Sequence, residues 1–540
     1  MTVADVERHE RSPFVSSDVA LSAEHDAGDE SGRGHGAVES RSIDWVTPAE
    51  RHGTPWRVSP LFFIANWSFF TIALGFTGPA LGLSVGWAVL ASALGLLIGT
   101  FFMAFHATQG PRLGLPQIIQ SRAQFGFYGV IVVVAMSLTC YLAFGVVYTI
   151  LTAQGLAQIF GWSPVAVGLV VNVVGGLFAV AGHDHLHRIS QLVFYVTVPL
   201  VLVLSVAVLL GHAGGAAPPS EHGFVASAFF TVFAVSAAYN IALAPIVSDY
   251  TRYLPARTSP RSLIASVYAG AGVSALWLIS LGAWLSAHYH AQDALVALHD
   301  AGNSVFSGFG AVLALASAAT LIVCTATAAY SVALQFLTGV DLVKRVRPTR
   351  ALRIAVTAAT IAIYLLVALP FGDHVINAAS NALSLMLFLL VPWTAVNLTD
   401  YFFVRRGEYA ITDLFTPAGV YGGWSWRGIV AYFAGFAAMV PFAVLPFFTG
   451  SLGSLLGGID ISWLAGLLVA SALYYAFTRN LDRSAEHAAI THSDTMLKDR
   501  SVTDFATHRP TAEQGCSTAA NQRAQPHPES GDHLPQEGIE

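Results

Sequence analysis

The stretch 236–255, SAAYNIALAPIVSDYTRYLP, decides how the rest of the chain is read. It closes a long apolar run. Inside that run stand Asn240 and Pro245, and at its edge stand Asp249 and Arg252. Proline removes a backbone donor and clashes with the preceding turn of a helix. A polar amide in apolar surroundings is costly unless it is hydrogen-bonded. Together they predict a helix that is interrupted where its freed backbone groups must find partners.

Composition supplies the medium. The chain has 540 residues and a mean hydropathy of +0.60; 54% of it is hydrophobic and 11% charged. Soluble domains carry about 25% charged residues, so this is an integral membrane protein. The net charge of -6 says little about a partner, because the acidic excess lies in the polar ends. Cys140, Cys324 and Cys516 have no metal-site spacing and do not suggest a disulfide framework. No basic segment with a short apolar core opens the chain, and no phosphate-binding P-loop is present.

A spanning helix needs roughly 20 apolar residues. Twelve such runs lie near 60–83, 86–106, 128–158, 164–181, 189–211, 225–247, 264–287, 308–338, 353–370, 377–403, 428–448 and 459–478. They are called spans 1 to 12 below. Arginine and lysine fall in alternate connections: Arg51 and Arg57, Arg112 and Arg122, Arg188, Arg252 to Arg261, Lys344 to Arg353, then Arg405 and Arg406. The other connections, such as IFGWSP and FFTGSLG, have none. Basic loops stay cytoplasmic, so both termini are expected inside, in a multi-pass plasma-membrane protein. Residues 1–55 and 481–540 are polar and read as disordered cytoplasmic tails around a transporter domain at 56–480.

Spans 1 and 6 differ from the rest. Span 1 carries Gly75, Gly78 and Pro79 close together; span 6 carries Asn240 and Pro245. They are five apart, so they are equivalent if spans 1–5 and 6–10 are inverted repeats. Interrupted helices at matching positions point to the central site of a secondary transporter. Pro and Gly also occur in ordinary kinked spans. Polar side chains inside the runs include Asn66, Thr71 and Thr77; Tyr141, Tyr148 and Gln154; Tyr239 and Asn240; and Thr320, Thr325, Thr327 and Tyr330. No charged side chain stands at a span centre. That favours a neutral, planar, hydrogen-bonding molecule, with amides to bond it and rings to stack on it.

GPALGLS (78–84), GPRLGLPQIIQSRAQFGFYG (110–129), SDYTRYLP (248–255) and VPWTAVNLTDYFFVRRGEYAITDLF (391–415) carry a resemblance. The chain resembles the nucleobase:cation symporter-1 family, and within it the cytosine/purine permease branch, over roughly residues 45–480. The resemblance implies an all-α fold of twelve transmembrane helices: repeats at about 58–212 and 222–405, and two extra helices at about 427–480. It implies import of cytosine or a purine, or of allantoin, a hydantoin, uracil or thiamine, coupled to a proton or sodium. No cofactor, no nucleic acid and a monomer go with it.

By the same resemblance the substrate lies between spans 1, 2, 6 and 7 and spans 3, 4, 8 and 9. Asn240 stands near a position where relatives carry an aromatic residue, with Tyr239 beside it. Tyr141 stands where span 3 carries tryptophan, and Gly145 replaces the polar residue usual four positions on. Phe76, Thr77 and Thr327 complete the expected substrate contacts. The Gly75–Thr77 backbone and Thr325 are expected to meet a cation, and Asp249 and Arg252 to form an inner gate. Span 4 ends in AGHDHLHRIS (181–190), where His183, Asp184, His185 and His187 leave open a membrane enzyme. The segment HYHAQDALVALHDAG (288–302) reads as a surface helix outside the membrane.

Overall fold

A computed structural model describes residues 45–498, apart from 217–222, 290–292, 344–348, 369–374 and 446–447. The expected tails at 1–44 and 499–540, with Cys516, lie outside the described residues, as do Lys344, Arg345 and Arg347. Among the described residues the protein is helical except for one short pairing, Val444–Leu445 against Phe448–Thr449, and an isolated bridge between Leu83 and Gly223.

Nine helices among the described residues are long and apolar enough to cross a bilayer. A tenth crossing is a bent pair, Pro55–Ala65 and Phe69–Ala80, meeting at 69°. These ten correspond to spans 1–10. Spans 11 and 12 form shorter apolar helices, Trp426–Phe442 and Ser462–Thr478. The chain is thus a multi-spanning helical membrane protein. Spans 1, 2, 6 and 7 pack on one another as a bundle, and spans 3, 4, 8 and 9 pack as a scaffold.

Small residues bring the bundle helices together, as in membranes generally. A Cβ at Gly282 of span 7 would run into the Ile72 carbonyl of span 1, and one at Gly75 would meet the backbone of Ile279 and Ala283. Gly75, expected at a cation site, is therefore a helix-crossing residue: its missing side chain admits span 7. Replacing Gly282 by valine is expected to lower stability by about 3 kcal/mol, the upper end of overpacking costs. Thermal unfolding of the purified protein in detergent checks this.

The interruptions fall in two different places. In span 6 the turn is at Ala242 and Leu243, and Pro245 sits in the first turn of the following helix, Ala244–Thr251. Proline is tolerated there because that amide would lack a helical partner anyway. In span 1 the sharp break is at Asn66–Ser68, not at the Gly75–Pro79 cluster. Ser68 is extended (φ -148°, ψ 158°) and precedes the helix Phe69–Leu74. The glycines and proline farther on coincide with a tighter turn, in which Phe76 N–H reaches Ala73 O.

The folded body exceeds the expected 56–480. Trp45 is buried and its Nε1 donates to Leu113 O at 3.1 Å; Arg51 Nη1 donates to Pro111 O at 2.8 Å. Residues 45–55 therefore belong to the body, held by loop carbonyls between spans 2 and 3. The helix Ser484–Lys498 also packs on it, placing Ala489, Ile490 and Leu497 against buried Leu414 and Tyr421 among others. Its overall polarity hid this one apolar face. The expected surface helix, Ala294–Val305, likewise buries a face with Leu295, Leu298 and Ala301. Asp293 caps it, accepting from Leu295 N–H at 2.7 Å and Val296 N–H at 3.2 Å.

Candidate functional site

The break in span 1 leaves backbone groups that lipid cannot satisfy, and side chains from spans 5, 6 and 8 gather around it. Phe69 N–H donates to Thr320 Oγ1 of span 8 at 3.0 Å. Thr71 Oγ1 donates to Asn66 O at 2.7 Å. That uses the threonine proton, so the Tyr239 hydroxyl of span 6 donates to Thr71 Oγ1 at 2.6 Å. Trp67 Nε1 donates to Thr197 Oγ1 of span 5 at 2.9 Å. Cys324 of span 8 lies within hydrogen-bonding reach of Ser68.

Asn240 has a different place from the one expected. Its Oδ1 accepts from Asn66 Nδ2 at 2.8 Å and its Nδ2 donates to Thr100 Oγ1 of span 2 at 2.7 Å. Asn66 Nδ2 also donates to Ala271 O at 2.9 Å. That carbonyl belongs to a π-turn, Tyr268–Gly272, in span 7; such a turn disturbs the regular helical ladder. Asn240 is fully buried. It ties spans 1, 2, 6 and 7 together inside the bundle, and both ends of its amide are engaged, so it is not a free hydrogen-bonding face toward a substrate. Asn240→Ala is expected to cost about 2 kcal/mol, because a buried amide and hydroxyl lose partners. A lowered thermal midpoint of the purified protein, with and without substrate, would register it.

Tyr239, one residue earlier, turns to the bundle–scaffold interface. There its ring lies 5.8 Å from Phe70. Phe70 in turn meets Phe144 at 5.8 Å and Tyr148 at 5.3 Å, both edge-on. Phe144 and Tyr148 of span 3 lie nearly parallel, 5.7 Å apart at 13°. Four rings thus gather at the break, with the Ser68 and Thr71 hydroxyls beside them. A cavity of about 10 Å³ lies next to Ser68 and Thr320, about enough for one water.

Tyr141 lies two turns from Tyr148, roughly 10 Å along the helix. Its hydroxyl is buried without a hydrogen-bond partner and within electrostatic reach of Asp249. It shares a helix face with Tyr148 and lies toward the arginine-rich end of span 6. Gly145 makes room for Tyr364 of span 9, whose ring occupies the space a side chain would need and whose hydroxyl donates to Tyr141 O at 3.2 Å. Phe76 and Thr77 are buried eight and nine residues beyond Ser68, outside the ring cluster.

On span 8, Thr325 is fully buried and packs its methyl toward Gly175 of span 4, with its hydroxyl bonded to Leu321 O at 2.9 Å. It faces the scaffold interior, so the break draws on Thr320 instead. Thr327 donates to Val323 O at 2.9 Å; it continues the face of Thr320 and Cys324 one turn on.

Asp249 Oδ1 accepts from Gln117 N–H at 3.1 Å, joining span 6 to the helix Gln117–Gln120 between spans 2 and 3. Ser248 donates to Gln117 Oε1, and Gln117 Nε2 donates to Gln109 Oε1 at 3.1 Å. Arg252 is buried and donates to Tyr253 Oη at 3.2 Å. These residues form a hydrogen-bonded group at one end of the bundle. The side chains of His183 and Asp184 lie outside the described residues; His187 pairs with Gln191 at 3.0 Å. Among the described residues no group of three His, Cys, Asp or Glu side chains is placed to hold a metal.

Sequence reasoning passed over Phe70, Phe144 and Ser68. A signal was present: ANWSFF (65–70) sets Asn and Ser, both favoured before a helix start, inside an apolar run.

A family model described as "Permease for cytosine/purines, uracil, thiamine, allantoin" matches residues 45–466. The Bacillus subtilis (strain 168) protein named "Putative purine-cytosine permease YxlA" is 30% identical over 450 residues, covering 82% of this chain and 96% of the relative. The inward-facing structure of Mhp1 superimposes with a TM-score of 0.68 at 16% identity, covering 84% of this chain and 97% of Mhp1. A closed form of Mhp1, a nucleobase-cation-symport-1 family transporter with bromovinylhydantoin bound, gives 0.65 at 17% identity, covering 84% and 98%. These two establish a shared fold. The chain belongs to the nucleobase:cation symporter-1 family, among its permeases for cytosine/purines, uracil, thiamine and allantoin.

Proposed function

We propose that this permease imports a neutral planar heterocycle, cytosine or a purine before uracil, allantoin, a hydantoin or thiamine, by symport with a cation across the plasma membrane. The observation that carries this is the ring cluster: Phe70, Phe144, Tyr148 and Tyr239 converge where span 1 is broken, beside the Ser68 and Thr71 hydroxyls. Stacking and neutral hydrogen bonds are what a nucleobase offers. The name of the Bacillus subtilis relative favours the purine and cytosine end of that range.

In this reading spans 1–5 and 6–10 are inverted repeats, spans 11 and 12 complete twelve crossings, and both termini are cytoplasmic. The bundle rocks against the scaffold around the ring cluster, and one chain is sufficient. Tyr239 is the substrate contact retained from span 6, and Tyr148 takes the place of Tyr141. Phe76, Thr77 and Thr327 lie along the path on either side. Asp249 and Arg252 serve the inner gate, because the Asp249 bond to Gln117 must open when the bundle moves. A sodium ion would draw on the Ser317 and Thr320 oxygens facing the break; a proton would use Asp249.

Uptake of labelled cytosine, adenine, hypoxanthine, uracil, allantoin and thiamine into proteoliposomes, under separately imposed sodium and proton gradients, tests this. Saturable uptake of at least one heterocycle that collapses with one gradient is expected. Equal uptake with and without any gradient would refute symport, and uptake of none would refute the substrate class.

A further inference from the structure

A second cavity, of about 470 Å³, opens where span 2 ends, span 7 begins and span 10 ends. Arg112, Arg257 and Arg406 line it together with Phe105, Tyr401 and Phe402, and no Asp or Glu lies in its wall. Among the described residues none of these arginines forms an ion pair with a carboxylate. Arg112 Nε donates to Gly407 O at 3.0 Å, which fixes that side chain to the loop and leaves its terminal nitrogens for another acceptor. Arg406 has φ 54°, the only positive φ of a non-glycine residue among those described. The site is separate from the ring cluster and has the opposite chemistry.

Its surroundings indicate what the three cations meet. Leu90, Leu94, Leu97 and Phe101 of span 2 are all exposed, at spacings of four, three and four residues, and form its lipid-facing stripe. Phe105 continues the stripe into the cavity: its ring lies 4.2 Å from Phe101 and 5.5 Å from the partly exposed Phe402. An apolar track therefore leads directly to a cationic pocket at the arginine-rich membrane boundary. A free anion has no use for the track, and a zwitterionic lipid gains little from three uncompensated cations. Basic pockets between membrane helices at the cytoplasmic side suit anionic headgroups.

We propose that this cavity is a binding site for an anionic phospholipid. The headgroup phosphate sits among Arg112, Arg257 and Arg406, and the acyl chains lie along Phe402, Phe105, Phe101 and the leucines beyond. Guanidinium groups bind phosphate oxygens through paired hydrogen bonds. Placing the lipid in the inner leaflet rests on the orientation proposed above; the pocket chemistry does not.

The test uses the delipidated full-length protein, titrated with phosphatidylglycerol, phosphatidylcholine or inorganic phosphate, with native mass spectrometry counting bound molecules. The wild type is expected to prefer phosphatidylglycerol to phosphatidylcholine by at least tenfold. The double variant R257Q/R406G should lose at least tenfold in phosphatidylglycerol affinity and keep its weak phosphatidylcholine binding. Glycine suits the left-handed backbone at 406, so that change favours folding; R257Q alone, expected to lose about threefold, serves if the double variant fails to fold. Each arginine near a membrane surface is worth enough for such a change. Unchanged phosphatidylglycerol affinity in the folded variants would overturn the proposal. Inorganic phosphate bound as tightly as the lipid would also overturn it, in favour of a soluble anion.

Discussion

Replacing Arg405 by alanine is expected to cost about 4 kcal/mol of stability, the largest effect of any single change considered, because removing one partner of a buried ion pair costs 3–5 kcal/mol. Arg405 stands between two acids. Its Nη1 donates to Asp400 Oδ1 and its Nε to Glu486 Oε1 at 2.7 Å. The three side chains are nearly inaccessible: 7% for Arg405, 0% for Asp400 and 5% for Glu486. A π-turn, Asp400–Val404, ends span 10 and closes on Arg405, whose N–H donates to Asp400 O at 2.8 Å. Asp400 also accepts from Gln124 Nε2 at 2.6 Å, Tyr409 Oη at 2.8 Å and Tyr474 Oη at 2.9 Å. Alanine leaves those neutral donors in place but removes, among the described residues, the cation paired with Asp400, while Glu486 keeps Arg483 at 3.1 Å.

The pH dependence follows from the charge. Burial alone would pull the Arg405 guanidinium down, but Asp400 first, then Tyr474 and Glu486, hold it well above its ordinary value. A raised pKa contributes stability that is complete below the unfolded value and is lost only as pH rises through the folded one. Both lie far above ordinary pH, so the wild-type contribution is flat there. Thermal midpoints of wild type and Arg405→Ala, in detergent, check the size. An undiminished midpoint in the variant would mean that the helix Ser484–Lys498 is not anchored by this pair.

Much of the architecture was legible because it follows from composition. Apolar runs of spanning length, alternating basic connections and Pro245 in span 6 do not depend on which way a helix faces. The site depends on facing. Successive residues of a helix point about 100° apart. Tyr239 therefore reaches the ring cluster while Asn240 binds Asn66 and Thr100 inside the bundle. The same rotation turns Cys324 toward Ser68 and Thr325 toward Gly175. Polarity shows that a residue matters; it does not show on which side of its helix the partner lies.

The break in span 1 was misplaced for a related reason. Gly75, Gly78 and Pro79 look like helix breakers, yet Gly75 serves a close crossing with span 7. The true break is made at Asn66–Ser68, where the Asn66 side chain and the Phe69 amide find partners far along the chain, Asn240 and Thr320. Glu486 is similar: beyond its neighbour Arg483, its buried partner Arg405 is 81 residues away.

The second large effect concerns binding. If a heterocycle stacks at the break, the faces of Phe144 and Tyr148 supply much of its affinity. Stacking of a base on one aromatic side chain is worth about 1–3 kcal/mol by substitution, and 1.4 kcal/mol is tenfold. Tyr148→Leu keeps an apolar side chain in the gap and removes the ring face. Tyr148→Phe keeps the face and removes the hydroxyl, so it separates stacking from hydrogen bonding. The direct measurement is equilibrium binding of whichever labelled heterocycle the protein takes up, to wild type and to both variants, each first shown to be folded by its thermal midpoint. Affinity about ten- to a hundredfold weaker in Tyr148→Leu, and close to wild type in Tyr148→Phe, is the predicted result. Wild-type affinity in a folded Tyr148→Leu protein would contradict the placement of the substrate at the ring cluster.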